Sequence, residues 1–234
     1  MKLDIVLPSK RRQFKLENCL NSLFHSCSEV GENEINVHIY LSLNEEYQHF
    51  FQSFRNISSV HIYLLEKYRV PDFWSAHLRA SQADAMCYIN DDILFKEDTL
   101  KVILDEFPAK FPDFDGVMGL RQANLPSDQA VEGAFGVIGL RYSERFPERQ
   151  VFCPDYERFY ADFELWKYAK SVDRFYFCQQ ARIEHLHPST NRALEDETHK
   201  EVRKWLPQDR ETFKKRQDNN LLWGNSWELL NKGE

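Results

Sequence analysis

Apolar positions along the first half of the chain fall into two alternating patterns. Leu3 to Leu7 is a short, nearly unbroken apolar run of the kind a buried strand shows. Leu16, Leu20, Leu23 and Cys27 then recur at helical spacing. Val37 to Leu43 predicts the next strand, Glu45 to Phe54 a helix, Val60 to Leu65 a third strand and Phe73 to Ala83 another helix. Ala85 to Ile89 predicts a fourth strand. The helix after it should begin at a side-chain cap from Asp98 and be ended near Phe107 by Pro108 and Pro112. Beyond residue 116 the pattern loosens. Strands are expected at Gly116–Leu120 and Ala134–Leu140 around a polar loop, Arg121 to Gln129, then a helix at Phe159–Lys170 and strands at Phe175–Cys178 and Arg182–Leu186. From about Asn191 the chain turns charged, with helical patches around Trp205 and Phe213. Strands alternating with helices predict an α/β fold, with a mainly parallel sheet flanked by helices and a C-terminal helical appendage.

Composition narrows the class. The chain has 234 residues, 42% hydrophobic and 14% aromatic, which is enough for a sizeable core and unlike a disordered polar chain. The net charge of -7 argues against a protein devoted to gripping nucleic acid. Five scattered cysteines, Cys19, Cys27, Cys87, Cys153 and Cys178, include no C-x-x-C pair and read as reduced thiols. No apolar stretch reaches the ~18 residues of a membrane span and no signal-peptide core opens the chain, so a cytoplasmic protein without a transmembrane segment is expected.

Four segments carry candidate chemistry. Asn90-Asp91-Asp92 follows a buried strand, where ligands of open α/β sheets sit. Adjacent carboxylates repel, and a hard cation such as Mg²⁺ or Mn²⁺ relieves them; a turn cap or a pairing with Lys96 would do so too. Asp162 and Glu164 lie on one predicted helix about 200° apart, so only one of them can face a given site. His185 and His187 share a face if their segment is extended, with Leu186 opposite. Gly133, Gly136 and Gly139 recur every third residue and mark close approach by a ligand or another backbone, although no G-x-G-x-x-G or P-loop fingerprint is present.

Taken in order, these pieces resemble a glycosyltransferase of the GT-A fold, closest to the family 2 type, over roughly residues 1–190. Residues 1–115 would form the nucleotide-binding half, 116–190 the acceptor and catalytic half, and 191–234 a helical extension. Ile5-Val6-Leu7-Pro8-Ser9-Lys10-Arg11 is similar to that family's first strand and nucleotide-binding turn, which assigns Pro8, Ser9 and Arg11 to the donor. Ser42 and Asn44 stand where the family reads the base. Asn90-Asp91-Asp92 falls at the Asp-x-Asp position, implying Asp92 as metal ligand and Asp91 as its helper near the ribose or sugar. Glu132-Gly133-Ala134-Phe135 is similar to the stretch against the donor sugar, here Gly133 and Ala134. The motif Tyr160 to Leu165 implies Asp162 as catalytic base, and His185 matches the histidine completing the metal site, with His187 as fallback.

The resemblance therefore implies an inverting transfer from a nucleotide-diphosphate sugar, with UDP the expected carrier and Mn²⁺ or Mg²⁺ the cofactor. The acceptor would be a hydroxyl of a glycan, a lipid-linked glycan, a protein or a modified nucleic acid. Arg121, Arg141, Arg145 and Arg149 are candidates to meet an anionic acceptor, and Tyr142, Phe146, Phe152, Tyr156 and Tyr160 to stack on it. The rivals are a sugar nucleotidyltransferase, for which the basic turn lacks glycine, and an inactive nucleotide-sugar-binding module.

Overall fold

The computed structural model describes residues 1–26, 35–42, 59–65, 69–126, 132–190 and 192–224. Among them, strands β1 (Leu3–Ser9), β2 (Ile35–Ser42), β3 (Val60–Leu65), β4 (Ala85–Tyr88), β5 (Ile93–Phe95), β6 (Val117–Gln122), β7 (Gly136–Gly139) and β8 (Phe175–His185) form one sheet. Their order is β3-β2-β1-β4-β7-β6-β8-β5. The described helices are α1 (Gln13–Ser26), α2 (Val70–Ala80), α3 (Thr99–Lys110), the one-turn α4 (Leu140–Ser143), α5 (Ala161–Ser171), α6 (Glu197–Arg203) and α7 (Leu206–Asp218). No described helix is long and apolar enough to cross a membrane.

β1 is buried along its whole length because both its faces are covered. Leu3, Ile5 and Leu7 pack with Leu16, Leu20 and Leu23 of α1 and with Ile103 and Phe107 of α3. Val6 packs on the opposite face with Phe73, Trp74 and Leu78 of α2 and Leu165 of α5. This two-sided burial is what makes a strand read as a continuous apolar run.

The first half is parallel, as expected: β1 lies between β2 and β4, and β3 extends β2. The second half departs from expectation, because β7 runs antiparallel to both β4 and β6, and β5 antiparallel to β8. No described helix joins β6 to β7, and without a crossover helix the antiparallel return is the direct route. The two strands expected at 175–178 and 182–186 are one strand, β8, with a register shift opposite Leu120 and Arg121.

Asp98 does precede α3, but its backbone is left-handed (φ 62) and its side chain makes no capping bond. Ser26 Oγ instead accepts from the Leu100 amide at 3.1 Å. Pro108 lies within α3, close enough to its end that few hydrogen bonds are lost, and the helix stops at Phe111, which leaves the helical region (φ -129, ψ 76) just before Pro112. The helix expected at Glu45–Phe54, Asn44 and Cys27 lie outside the described residues; the other four cysteines are buried thiols.

Candidate functional site

β1 connects to β2 on one side and precedes β4 on the other, so a crevice opens beyond the carboxyl ends of β1 and β4. The turn after β1 supplies Ser9 and Arg12; the turn after β4 supplies Asn90, Asp91 and Asp92. Ser9 Oγ donates to Asp91 Oδ2 at 2.8 Å. Arg12 Nη1 reaches Asp91 Oδ1 at 3.0 Å and Asp92 Oδ2 at 3.2 Å, and its Nε lies 3.0 Å from Asp196 Oδ2. A buried guanidinium thus offsets the acid pair, while Lys96 pairs with Glu184 at 2.6 Å. Burial pushes the Asp91 carboxyl up, helped by the neighbouring Asp92 charge. Burial acts on Asp92 in the same sense, but contacts with His185, His199 and Arg12 outweigh it and hold Asp92 well below the usual carboxylate range. The pair is therefore asymmetric, with Asp92 the more acidic member.

The β5–β8 ladder delivers the histidine. Ile93 sits opposite His185, and the Leu186 amide donates to the Asp92 carbonyl at 2.8 Å. His185 Nε2 then stands 3.4 Å from Asp92 Oδ1, and among the described residues neither atom has a hydrogen-bond partner although both are buried. The His187 ring stacks on His185 at 4.9 Å, and His199 of α6 meets His187 edge-on at 4.7 Å. His187 Nδ1 accepts from the Ser189 amide at 3.1 Å, and His199 Nδ1 accepts from the Asp196 amide at 3.2 Å. His199 Nδ1 also lies 2.8 Å from Asp196 Oδ1, and its Nε2 stands farther from Asp92, 3.8 Å from Oδ2. Of the three rings, His185 is the one whose Nε2 is poised to bind a cation beside Asp92.

A cavity of about 680 Å³ opens onto this cluster. Asp92, His185, His187, Ala134 and Asp162 all line it. Asp162 is the second residue of α5, which follows a left-handed Tyr160 (φ 70). The ring of Tyr160 stacks on Phe213 of α7 at 4.5 Å. Burial pushes the Asp162 carboxyl up to about 6, against the backbone amides of Phe163 and Asp162 that hydrogen-bond it. Glu164 points away, as the helix geometry requires, yet into a second buried contact rather than solvent. It accepts from Tyr156 Oη at 2.6 Å and from Arg216 Nε at 2.6 Å and Nη2 at 2.9 Å.

The remaining predicted residues are placed less directly. Asp91 has both oxygens engaged by Ser9 and Arg12 and does not line the cavity. Pro8 is buried in β1, and Ser42 ends β2 opposite Leu65. Arg11 is exposed, 3.8 Å from Glu201. Gly133 makes room for the Trp166 ring, which any Cβ would strike, and its carbonyl accepts from Tyr88 Oη at 2.8 Å. The four arginines offered to an acceptor do not line the cavity: Arg145 pairs with Asp115, Arg149 with Glu144 and Arg141 with Asp113, while Arg121 donates to the Leu125 carbonyl. Tyr142, Phe146, Phe152 and Tyr156 are core residues, and of that aromatic group only Tyr160 reaches the cavity. Arg12, Trp74, Arg158 and His199 line the cavity and were not singled out from the sequence. Trp74 Nε1 is a buried donor with no hydrogen-bond partner among the described residues. Its apolar neighbours, Phe73 and Leu78, make it look like an ordinary core position, whereas Arg12 differs from Arg11 only by facing inward.

No protein-family model matches the chain, and no curated protein matches it by sequence. Solved structures do match. Residues 1–349 of S. aureus TarS superpose with a TM-score of 0.63 at 12% identity, covering 78% of this chain and 59% of that one. The mannosyltransferase PcManGT from Pyrobaculum calidifontis, solved with GDP-Man and Mn²⁺, gives 0.62 at 11% identity, covering 79% and 56%. The chain has the GT-A fold. It spans less than two thirds of either structure, and 38% of a longer TarS structure. TarS has also been solved with UDP and with UDP-GlcNAc.

Proposed function

We propose that this GT-A protein is a metal-dependent, inverting glycosyltransferase that moves a sugar from a nucleotide-diphosphate donor, UDP-linked by preference, to an acceptor hydroxyl. One observation carries the reading: Asp92, His185 and Asp162 converge on a single cavity beyond the carboxyl ends of β1 and β4. Nucleotides or nucleotide sugars bound to TarS and PcManGT support the donor class.

The residues present fit a divalent cation. Asp92 Oδ1 and His185 Nε2 are buried and adjacent, lack hydrogen-bond partners among the described residues, and as one carboxylate with one imidazole suit Mn²⁺ better than Mg²⁺, which prefers oxygen ligands. When bound, such an ion offsets the charge that gathers on a departing diphosphate. The chain's own residues do the rest. Ser9 and Arg12 fix the acid turn, and Ala134 lies where a donor sugar would rest. Asp162 accepts the proton of the acceptor hydroxyl as its oxygen attacks the anomeric carbon from the face opposite the diphosphate, so configuration inverts.

A second reading is an inactive nucleotide-sugar-binding module. Arg12 favours it, because its guanidinium already balances both carboxylates. Incubation with a panel of nucleotide sugars and Mn²⁺ separates the two. Release of nucleoside diphosphate, abolished by Asp92→Ala, is the expected result. Donor binding without release would leave the module, and release of pyrophosphate would instead mark a nucleotidyltransferase.

A further inference from the structure

At the other end of β1 lies a cluster the transferase reading does not use. Asp4 shares a face of β1 with Val6, yet it is 4% exposed. His38 on β2 and His77 near the end of α2 converge on it, 8% and 5% exposed. His38 Nε2 is 3.3 Å from Asp4 Oδ1 and His77 Nε2 is 3.0 Å from Asp4 Oδ2. The three candidate ligand atoms all lie within 4.8 Å of one another. Ligands at zinc–nitrogen distances on a tetrahedron stand roughly 3.4 Å apart, so a spread of up to 4.8 Å has to close somewhat when an ion binds.

The His77–Asp4 contact is a hydrogen bond, and around it stand the outer partners that a metal site has. The outer nitrogens are already held: His38 Nδ1 meets Tyr63 Oη at 3.2 Å and His77 Nδ1 meets Tyr40 Oη at 3.0 Å. Both Nε2 atoms therefore turn inward, the arrangement by which outer partners orient metal-binding histidines. Asp4 is oriented in turn by Ser81 Oγ at 2.6 Å and Asn36 Nδ2 at 3.1 Å. His38 Nε2 is buried and, among the described residues, makes no hydrogen bond, only its 3.3 Å approach to Asp4 Oδ1. A cavity of about 310 Å³ reaches the three side chains and gives an ion both a way in and room for a solvent ligand.

We propose that Asp4, His38 and His77 bind a second divalent cation of the zinc class, which staples the amino-terminal ends of β1 and β2 to the end of α2. Two imidazoles and one carboxylate favour such a borderline ion over Mg²⁺ or Ca²⁺, which prefer all-oxygen shells. The site is separate from the Asp92 cluster and does not depend on the activity proposed above.

The test loads the full chain with Zn²⁺, dialyses it against metal-free buffer and counts retained zinc by mass spectrometry. In an Asp92→Asn background, which removes any zinc held at the other cluster, His38→Gln and His77→Gln should each lose one further equivalent. Equal retention in the unaltered chain and His38→Gln would overturn the proposal. A zinc-edge anomalous map of the unaltered chain guards against variants that fail to fold. A peak within bonding distance of Asp4, His38 and His77 supports the site, and its absence there under saturating zinc refutes it.

Discussion

Asp162 carries two physical demands that pull in opposite directions. As a base it must be ionised, yet its enclosure pushes its carboxyl up to about 6. A raised carboxyl in the folded state means the charged form is disfavoured by folding, so above that pH the side chain costs stability while it becomes competent to take a proton. Activity should therefore rise as pH climbs through about 6 and then level. Asp162→Asn should cut turnover on the order of 100-fold or more. At pH 7.5 the same variant should melt no lower than the unaltered chain. A variant that loses both together would make Asp162 a structural residue instead. Arg12 is the other decisive side chain. Arg12→Gln should melt lower in metal-free buffer, since two buried carboxylates lose their counter-charge. Its rise in melting temperature on adding Mn²⁺ should exceed that of the unaltered chain. Equal rises would show that guanidinium and cation do not contend for the same oxygens. Residue types at this scale were legible in the sequence: an acid pair after a buried strand and a helix-borne Asp can be seen without coordinates. Which of three adjacent basic residues turns inward could not be seen, because φ of 56 at Arg11 rotates the turn by one position and no pattern announces it.

Elements meet at the site through contacts far apart in sequence, and those contacts were the illegible part. The expected strand at Arg182–Leu186 does carry His185, at its last residue, while His187 lies beyond it; but β5 is three residues long, and its pairing with the end of β8 is what sets His185 beside Asp92. Register between distant strands is fixed by packing across the whole sheet, which a local pattern does not encode. The same holds for α5 and α7. Glu164 read as a polar face, yet it is 1% exposed and takes a two-point contact from Arg216 as well as the Trp223 amide at 2.8 Å. Glu164→Ala would leave that guanidinium buried without its main partner and should cost about 3–5 kcal/mol in urea unfolding. A loss under about 1 kcal/mol would mean that the pair is as dispensable as an exposed salt bridge. Asp209 of α7 makes the companion contact: its carboxylate accepts from the amides of Glu157, Arg158 and Phe159 at 2.8–2.9 Å. These are the residues leading into the Tyr160 turn beneath the cavity, so α7 shapes the site without touching the reacting groups.

For the whole molecule, the question is what the charged C-terminal stretch does. Its sequence suggested an appendage to a unit ending near residue 190. The folded chain uses it as a wall. His199, Val202, Arg203 and Leu206 line the cavity, Asp196 joins Arg12, and Thr198 Oγ1 donates to the Lys10 carbonyl at 2.8 Å. Composition hid this because a helix whose inner face meets polar turns, not a greasy sheet, shows little amphipathic contrast. Only the positions of Asp196 and His199, three apart at a helix start where each satisfies the other's backbone amide, hinted at a built terminus. A chain ending at residue 190 should therefore lose more than solubility. It would open the cavity on one side, strip Arg12 of its third carboxylate and leave Glu164 without Arg216. Donor binding, read as a thermal shift with UDP-sugars and Mn²⁺, should vanish, and urea unfolding should begin at lower concentration. Full donor binding by the shortened chain would show that residues 1–190 already hold the complete site and that the helices only cover it. The outcome bears on the acceptor as well. The four outer arginines are engaged by Asp113, Asp115, Glu144 and the Leu125 carbonyl; among the described residues the arginines that line the cavity are Arg12, Arg158 and Arg203, and Arg203, on α6, pairs with Glu195 at 2.7 Å. If an anionic acceptor is used, it must approach along that wall. Arg203→Ala should then raise the acceptor KM and leave donor binding unchanged.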